Sequence, residues 1–445
     1  MTVTRSLSEF VASTEDSELP QWSLHEAKRT LLNLLAVSLS GSRSQGANTL
    51  LQWINGEAAA ASASVIGTDI KTSPGNAALA NGFLGHLQDY DDTHFPTVLH
   101  PTAPVWPAVL ATAESSGATG AQTLAAFVLG AETACRVAMS VHPWHYDAGW
   151  HITGTAGVFG AAAGAGRVLG LGSAELTSAL STSGTLASGV REVFGSQAKP
   201  LHAGHAAEAG VRAAAWAKAG FTGADDIIGG RRGFWAVLSP NGHSEEALLG
   251  DLGHHWEFRM NGLKPYANGV VSHPIQDAVI ELRNRHALEP EQVTAIEARV
   301  HPLVLELMNR AEPRRGLEGK FSFQHCAAAA LVDGAGHDAQ FSDEKVADPL
   351  ISSVRAKVSA TIDESVAEDE VYLAITLSNG ERVETHVEHA TGSPDNPMSD
   401  EVLKAKYLAL AGEVFSAEHV ERLFDAVWGL DEASDVSEVA RLMAN

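Results

Sequence analysis

A change in hydrophobic periodicity near Pro265 constrains the fold of this chain more than any other feature. Before Pro265, apolar residues recur at the three- and four-residue spacing of amphipathic helices. After it, segments such as Val293–Val300 alternate with the two-residue period of strands. We therefore expect a mainly α protein, in which residues 1–265, completed by 404–445, form a large all-helical domain. Residues 266–403 are predicted to form a smaller α+β domain.

The predicted helices of the first region carry many small residues. Ser23 and Glu26 have the spacing of a capping box, so a helix is predicted to start there and to end at Gly41. Glycine stands where larger residues are usual, as at Gly157 and Gly160. Because small side chains let helix axes approach closely, we expect tight, layered packing. Further helices are predicted at 47–53, 75–88, 103–115, 121–141, 153–169, 174–188 and 203–218.

Strands and helices alternate in the second region. Asn379-Gly380 is a strong hairpin signal and joins the last two of the predicted strands. The predicted strands are 293–300, 354–362, 371–377 and 383–387. Helices are predicted at 273–285 and 322–333, and two more, at 400–410 and 417–427, follow a Gly- and Pro-rich break.

Composition excludes several classes of protein. Hydrophobic residues make up 45% of the 445 residues and charged residues 19%, which is typical of a globular protein. A formal net charge of -24 disfavours nucleic acid as a partner, although a local cationic cluster could still attract a small anion. The two cysteines form no disulfide framework, which favours a reducing compartment.

The sequence also favours a cytoplasmic location with no membrane partner. The first 17 residues include Glu9, Glu15 and Asp16 and lack the apolar core of a signal peptide. The longest weakly polar stretch that we identify, Ile152–Gly166, is too short to span a bilayer.

The segment from His86 to Pro101 is the densest candidate for chemistry. It holds three aspartates and three histidines within 15 residues. One alternative is a solvated polar turn, because aspartate favours turns. The apolar helix before the segment and its aromatic residues favour a buried loop, where carboxylates need partners. Another alternative is a divalent metal site, but the spacing matches no strong metal motif, so no metal and no cofactor are predicted.

Three further positions stand at the starts of predicted helices or at the domain junction. His151 begins a Gly- and Ala-rich helix, where terminal amide groups could bind an anion. The alternative for His151 is a capping histidine in the core. Lys199 and Lys264 each precede a proline, and the alternative for both is a solvated surface charge.

Together and in this order, these segments resemble the MmgE/PrpD family of 2-methylcitrate dehydratase-like enzymes over nearly the whole chain. The stretches that carry the resemblance are Asn81 to Pro101, Gly149-Trp150-His151, Lys199 to Ala207, Gly220 to Gly223, Gly233-Phe234, Lys264-Pro265-Tyr266, Lys320 to Gln324 and Gly392 to Pro397. Each stretch is weak by itself, and the set is specific.

The resemblance implies a large helical domain and a smaller α+β lid, with the active site between them, in a homodimer. Members of the family act on small polycarboxylates, generally without a metal, and include 2-methylcitrate dehydratase, cis-aconitate decarboxylase and iminodisuccinate epimerase. By residue-to-residue match, the active-site positions of the family fall on Asp89, Thr93, His100, His151, Lys199 and Lys264.

The chain departs from the family pattern at three pocket positions. Ala267 replaces a common proline, and Gly269 stands where cysteine or histidine is frequent. His325 stands where the decarboxylase-like members have a tyrosine. We therefore expect an epimerase of iminodisuccinate, with a hydro-lyase like 2-methylcitrate dehydratase or a decarboxylase like the cis-aconitate enzymes as alternatives.

Epimerisation requires an acid or base on each face of the carbon that lies next to a carboxylate. Lys199 is the expected group on one face and Tyr146 on the other, although Tyr146 could equally be a packed loop tyrosine. His151 and Asp89 complete the predicted catalytic set. Asp89 would orient a histidine or lysine or hold the substrate nitrogen, and its alternative role is a hydrogen bond at a helix end. The residues predicted to bind substrate carboxylates are Thr93, His100, Lys264 and His325.

Overall fold

A computed structural model describes residues 1–444, which divide into two compact units. Unit 1 consists of Met1–Leu87, Asp91–Asn261 and the segment from Ser399 onward. Unit 2 consists of Gln88–Tyr90 and Gly262–Met398. The predicted fold class, mainly α with a smaller α+β part, is confirmed. The predicted domains, 1–265 with 404–445 and 266–403, stay a prediction.

Helices make up most of unit 1. In chain order, the helices of the described chain are α1 (Val3–Ser13), α2 (Gln21–Ser42), α3 (Gln45–Gly56), α4 (Pro74–Leu87), α5 (Thr102–Ser116), α6 (Gly120–Val141), α7 (Trp144–Asp147), α8 (Ile152–Val168), α9 (Ser173–Gly184), α10 (Ala198–Lys218), α11 (Phe234–Leu238), α12 (Glu245–Leu249), α13 (His273–His286), α14 (Pro302–Met308), α15 (Gly316–Gly319), α16 (Phe323–Asp333), α17 (Asp343–Ala347), α18 (Pro349–Arg355), α19 (Asp400–Ala411), α20 (Ala417–Trp428) and α21 (Ser437–Leu442).

The strands are short in unit 1 and longer in unit 2. They are β1 (Ala63–Ser64), β2 (Lys71–Thr72), β3 (Asp92–His94), β4 (Asn261–Leu263), β5 (Val293–Val300), β6 (Val358–Ile362), β7 (Val371–Leu377) and β8 (Arg382–Val387).

Glycines hold the helices of unit 1 close together, as predicted. Helix α8 packs against α5, α6, α9 and α10. A Cβ atom on Gly160 of α8 would lie 2.5 Å from the carbonyl oxygen of Gly130 on α6. A Cβ atom on Gly204 of α10 would lie 2.4 Å from the carbonyl oxygen of Leu79 on α4. Both contacts are too short for any side chain, so the close approach of these helices depends on glycine.

Two predictions for unit 1 are corrected. Helix α2 starts two residues before Ser23, whose hydroxyl donates to the carbonyl of Pro20, so the predicted capping box does not form. The longest apolar segment is also not Ile152–Gly166. Helix α6 is longer. Among the described residues, it is the one helix long and apolar enough to cross a membrane, but 94% of its apolar stretch is buried inside the molecule.

Unit 2 contains a four-stranded sheet in the order β6-β5-β7-β8. Strands β5 and β6 are parallel, while β5–β7 and β7–β8 are antiparallel. The Asn379-Gly380 hairpin is confirmed, with Gly380 in the left-handed conformation at a φ of 84°. Ile296, Ala298 and Val300 are buried on one face, as their alternation predicts. Helix α13 packs on β7 and β8, and α16 packs on β6.

The predicted strand 354–362 is only partly correct, because Val354 lies in helix α18 and β6 begins at Val358. The carboxylate of Asp348 accepts hydrogen bonds from the amides of Leu350 and Ile351, and Pro349 occupies the first turn. A capped helix start with proline stabilises a helix strongly enough to outweigh the β-branched residues that follow it.

Candidate active site

Three histidines from separate elements meet in the interior of unit 1. His86 lies in the last turn of α4, His100 lies two residues before α5, and His151 is the N-cap of α8. The ring centroids are 4.5 Å apart for His86 and His100, and 5.7 Å apart for His86 and His151. One side-chain nitrogen from each histidine lies within 4.8 Å of those of the other two. We call these residues the histidine cluster.

The polar segment after α4 fixes two of these rings. The Nδ1–H of His86 donates to the carboxylate of Asp91 over 2.8 Å. The Nδ1 of His100 lies 2.5 Å from the backbone carbonyl of Asp92. A carboxylate and a carbonyl only accept, so Nδ1 carries the proton in both histidines. In an uncharged ring, the lone pair then lies on Nε2.

The third ring is held uncharged next to a buried lysine. Burial lowers the pKa of His151 well below the usual 6.5, and nearby His86 and Lys199 lower it further. The Nδ1 of His151 lies 2.9 Å from the Nδ1 of His202, and burial lowers the pKa of His202 to about 4. Lys199 is buried in the first turn of α10, with Nζ 5.2 Å from the ring centre of Phe194. His151 is therefore a neutral partner at neutral pH.

Asp92 anchors the polar segment to its neighbours in unit 1. Its carboxylate accepts from the amide and hydroxyl of Thr102 and from the side-chain amide of Asn261 at 2.8 Å. Burial raises the pKa of Asp92 to about 7, and the neighbouring charge of Asp91 acts in the same direction. These contacts favour the view that Asp92 shapes the loop.

Thr93 and Tyr146 are two further predicted residues in unit 1. Thr93, in β3, donates to the backbone carbonyl of Asp92 and lies 3.5 Å from the Nδ1 of His100. Tyr146 lies in the short helix α7, and not in a loop as predicted, with the guanidinium of Arg191 3.9 Å from its ring centre. The structure therefore brings Thr93 to the histidine cluster. The role of Tyr146 in proton transfer stays a prediction.

In unit 2, buried lysines are paired with carboxylates. The Nζ of Lys264 donates to the carboxylate of Asp89 at 2.5 Å and to its backbone carbonyl at 3.1 Å. Asp89 has a φ of 52°, in the left-handed region. The Nζ of Lys320 donates to Asp338 and to the backbone carbonyl of Gln88, each at 2.6 Å. Asp89 thus contacts a lysine, and its predicted catalytic role stays a prediction.

His325 is buried in the first turn of α16 in unit 2. Its Nε2–H donates to the backbone carbonyl of Gln340 at 2.9 Å, and Arg355 donates to its Nδ1 at 3.4 Å. Burial lowers the pKa of His325 to about 4, so the ring is neutral. Both nitrogens contact protein atoms, and the predicted role of His325 in binding substrate stays a prediction.

Sequence reasoning did not select His86, His202 or Lys320 as individual site residues. His202 follows Lys199 by three residues on one helix, a spacing that places both on the same face, so this signal was available. His86 and His151 are 65 positions apart, and nothing in their spacing predicts contact. Lys320 was visible only within a longer stretch that carries the family resemblance.

The histidine cluster and Lys199 together provide groups that exchange protons in a buried setting. An uncharged imidazole accepts a proton, and a lysine ammonium donates one or holds a carboxylate. Such contacts are stronger in a buried setting than in water. The fold and the cluster are therefore those of a mainly helical protein with buried groups suited to proton transfer.

Both parts of the chain match one known protein family. Residues 5–247 match the MmgE/PrpD N-terminal domain, and residues 266–431 match the MmgE/PrpD C-terminal domain. The chain therefore belongs to the MmgE/PrpD family, as the resemblance implied.

Curated relatives align along the whole chain. Cis-aconitate decarboxylase from Mus musculus is 27% identical over 458 residues, which cover 99% of this chain and 93% of the relative. The Homo sapiens enzyme is also 27% identical, covering 99% and 94%. Cis-aconitate decarboxylase from Aspergillus terreus is 26% identical, covering 99% and 96%. These relatives are lyases, so the comparisons support an enzyme but not the isomerase class that we expected.

Proposed function

We propose that this protein is an enzyme that forms a carbanion next to a carboxylate of a small polycarboxylate and then protonates it. The observation that carries the proposal is the buried histidine cluster, with His151 held uncharged beside Lys199. Decarboxylation of a substrate like cis-aconitate is the leading reaction, because the similar curated enzymes perform it. A homodimer, a cytoplasmic location and chemistry without metal or cofactor are parts of the same proposal.

The cluster suits the two steps of a decarboxylation. In the first step, the bond between the carbon and the departing carboxylate breaks, CO2 leaves, and the electron pair stays on the carbon. Hydrogen-bond donors that face the remaining carboxylate stabilise this charge, each by about 3 kcal/mol. In the second step, a proton adds to the carbon, and the ammonium group of Lys199 supplies it. A buried setting favours both steps because water does not compete for the donors.

Epimerisation of iminodisuccinate is the second candidate, and His325 favours it. Decarboxylase-like members of the family have a tyrosine at this position, whereas here a neutral imidazole contacts Gln340 and Arg355. Epimerisation shares the carbanion but starts with removal of a proton and ends with its return on the opposite face. Lys199 and His151 are two neighbouring groups of unit 1 that transfer protons, so the same groups suit this reaction. Tyr146 stays the predicted alternative for the second face.

Product analysis separates these reactions. Purified protein is incubated separately with cis-aconitate, iminodisuccinate and 2-methylcitrate, and each mixture is followed by proton NMR, by CO2 release and by ultraviolet absorption. CO2 from cis-aconitate supports the lyase. Interconversion of iminodisuccinate stereoisomers without CO2 supports the epimerase, and a new unsaturated acid from 2-methylcitrate supports a hydro-lyase.

A matched pair of variants excludes activity from a contaminant. Lys199→Met, next to the histidine cluster, is expected to abolish turnover. Lys218→Met changes an exposed lysine at the other end of the same helix, and this variant is expected to retain turnover. If none of the three substrates turns over at high enzyme concentration, the proposed function is wrong.

A further inference from the structure

We propose that His86, His100 and His151 also form a binding site for a divalent transition metal ion such as Zn²⁺, and that the bound ion inhibits the enzyme. The binding part stands on the geometry of the cluster alone. The inhibition part rests on the function proposed above.

The hydrogen bonds behind the rings match those of histidines that bind metals. Such histidines usually donate from one ring nitrogen to a carboxylate or backbone carbonyl, which fixes the tautomer and leaves the other nitrogen for the metal. Here, Nδ1 of His86 donates to the Asp91 carboxylate, and Nδ1 of His100 lies 2.5 Å from the carbonyl of Asp92. The Nδ1 of His151 contacts His202. Two of the three histidines thus already have the outer partners that are usual at metal sites.

The Nε2 atom of His86 gives an independent indication. His86 is 1% exposed, and its Nε2 is buried and has no hydrogen-bond partner among residues 1–444. A buried polar atom without a partner costs free energy and calls for an explanation. In an uncharged ring with the proton on Nδ1, Nε2 carries a lone pair, and no donor among the described residues lies within hydrogen-bond distance of it. A metal ion would satisfy it.

The distances and charges of the cluster set the expected affinity. Zinc–nitrogen bonds of about 2.0–2.1 Å require the three nitrogens to lie closer together than the present limit of 4.8 Å, so the rings must shift slightly. The three histidine ligands would leave a fourth position open. Asp91 contributes a negative charge behind His86, whereas the nearby Lys199 ammonium opposes the ion. We therefore expect micromolar and not picomolar binding.

A bound ion would block proton transfer directly. It would occupy the lone pair of His151, which then could not accept a proton. It would also place a cation where the substrate carboxylate must bind. Inhibition should consequently be competitive with substrate and reversed by a chelator.

The test measures metal binding without using activity. Protein that has been treated with chelator and dialysed is titrated with ZnCl2 by isothermal titration calorimetry, and with CoCl2 by visible absorption. We expect one ion per chain and a Co²⁺ spectrum typical of four-coordinate nitrogen and oxygen ligands. Asp91→Asn should weaken binding about 10–100-fold, as loss of an outer-shell partner does, and His86→Gln should weaken it more. His254→Gln, which removes an exposed histidine of the same unit, should leave it unchanged.

The outcomes separate this inference from the proposed function. No binding, or equal binding by wild type and His86→Gln, would overturn the metal site. The Co²⁺ spectrum of the wild type decides the matter if the variants fail to fold. Zinc binding by a protein that turns over no polycarboxylate would support the site and contradict the proposed function. If zinc binds at the cluster but does not slow turnover, the inhibitory role is wrong.

Discussion

The histidine cluster of unit 1 and the two buried lysines of unit 2 differ in how their charges are held. In unit 1, imidazoles lie together, and burial holds His151 and His202 uncharged. In unit 2, each of the two buried lysines, Lys264 and Lys320, is paired directly with a carboxylate. A neutral imidazole gains or loses a proton without breaking an ion pair. A buried ion pair, by contrast, fixes both partners, because removing one leaves an uncompensated charge. The histidine cluster is therefore suited to moving protons, and the two lysine–carboxylate pairs of unit 2 to holding fixed charges.

Replacement of Lys199 should have the largest effect, because it removes the ammonium beside His151 that the proposed reaction uses. Lys199→Met is expected to lower kcat/KM about 1000-fold or more, since it removes both a proton donor and a cation. Steady-state kinetics with the substrate identified by product analysis checks this, with Lys218→Met as the control. Equal activities of the two variants would show that Lys199 takes no part in catalysis, and would contradict the difference between the histidine cluster and the lysine–carboxylate pairs.

Breaking the ion pair of unit 2 should act on stability instead. Lys264→Met leaves the buried carboxylate of Asp89 without its lysine, which should lower the free energy of unfolding by about 3–5 kcal/mol. The double variant Lys264→Met with Asp89→Asn should recover much of this loss, because no charge is left alone. Urea denaturation measures both variants. If the single variant is as stable as wild type, the pair is not a fixed structural charge.

Asp92 should make the stability of unit 1 depend on pH, and we expect this effect to be of intermediate size. Its pKa is raised to about 7, against about 4 in an unfolded chain, so the native state binds a proton that the unfolded state has released. Asp92 therefore stabilises the fold below about pH 4, and the contribution is lost as pH rises to 7. Within this window, wild type should lose about 1.4 kcal/mol per pH unit relative to Asp92→Asn. Parallel stability curves for the two proteins would show that Asp92 does not titrate in this way.

The contact between His151 and His202 should have the smallest effect. His202→Asn removes the ring that holds Nδ1 of His151, so His151 loses orientation but keeps its burial. We expect kcat/KM to fall about tenfold, with a changed acidic limb in the pH profile. Changing His205 to Asn, one turn further along α10, should leave the profile unaltered. An equal fall for both variants would indicate a general disturbance of the helix.

Periodicity predicted the elements of the fold well and their contacts poorly. Strands β5 and β7 begin and end at the predicted residues, and the small residues of α8 predicted close helix packing. The two errors in the predicted elements arose at helix starts. Ser23 bonds back to Pro20 inside α2, and Asp348 starts a helix where β-branched residues suggested a strand. Hydrogen bonds between a side chain and the nearby backbone compete with secondary-structure propensity. A single sequence does not show which of the two prevails.

The candidate site was predictable only in part, and for a comparable reason. Asp89, His100 and His151 were found from local density and from family resemblance, whereas the neutral state of His151 depends on burial by distant parts of unit 1. The charge state of a side chain follows from its three-dimensional surroundings, so the sequence did not show that the His151 ring is neutral. The contact of His86 with His151 is likewise a product of helix packing that spacing does not reveal.

Turnover in heavy water tests the central claim most directly, namely that the cluster in unit 1 moves a proton at a carbon next to a carboxylate. The wild-type enzyme should place one solvent deuterium on that carbon in each turnover, as measured by proton NMR and mass spectrometry of the product. Lys199→Met should incorporate almost none under the same conditions, and Lys218→Met should match wild type. Turnover by the wild type that leaves the carbon without deuterium would contradict the account.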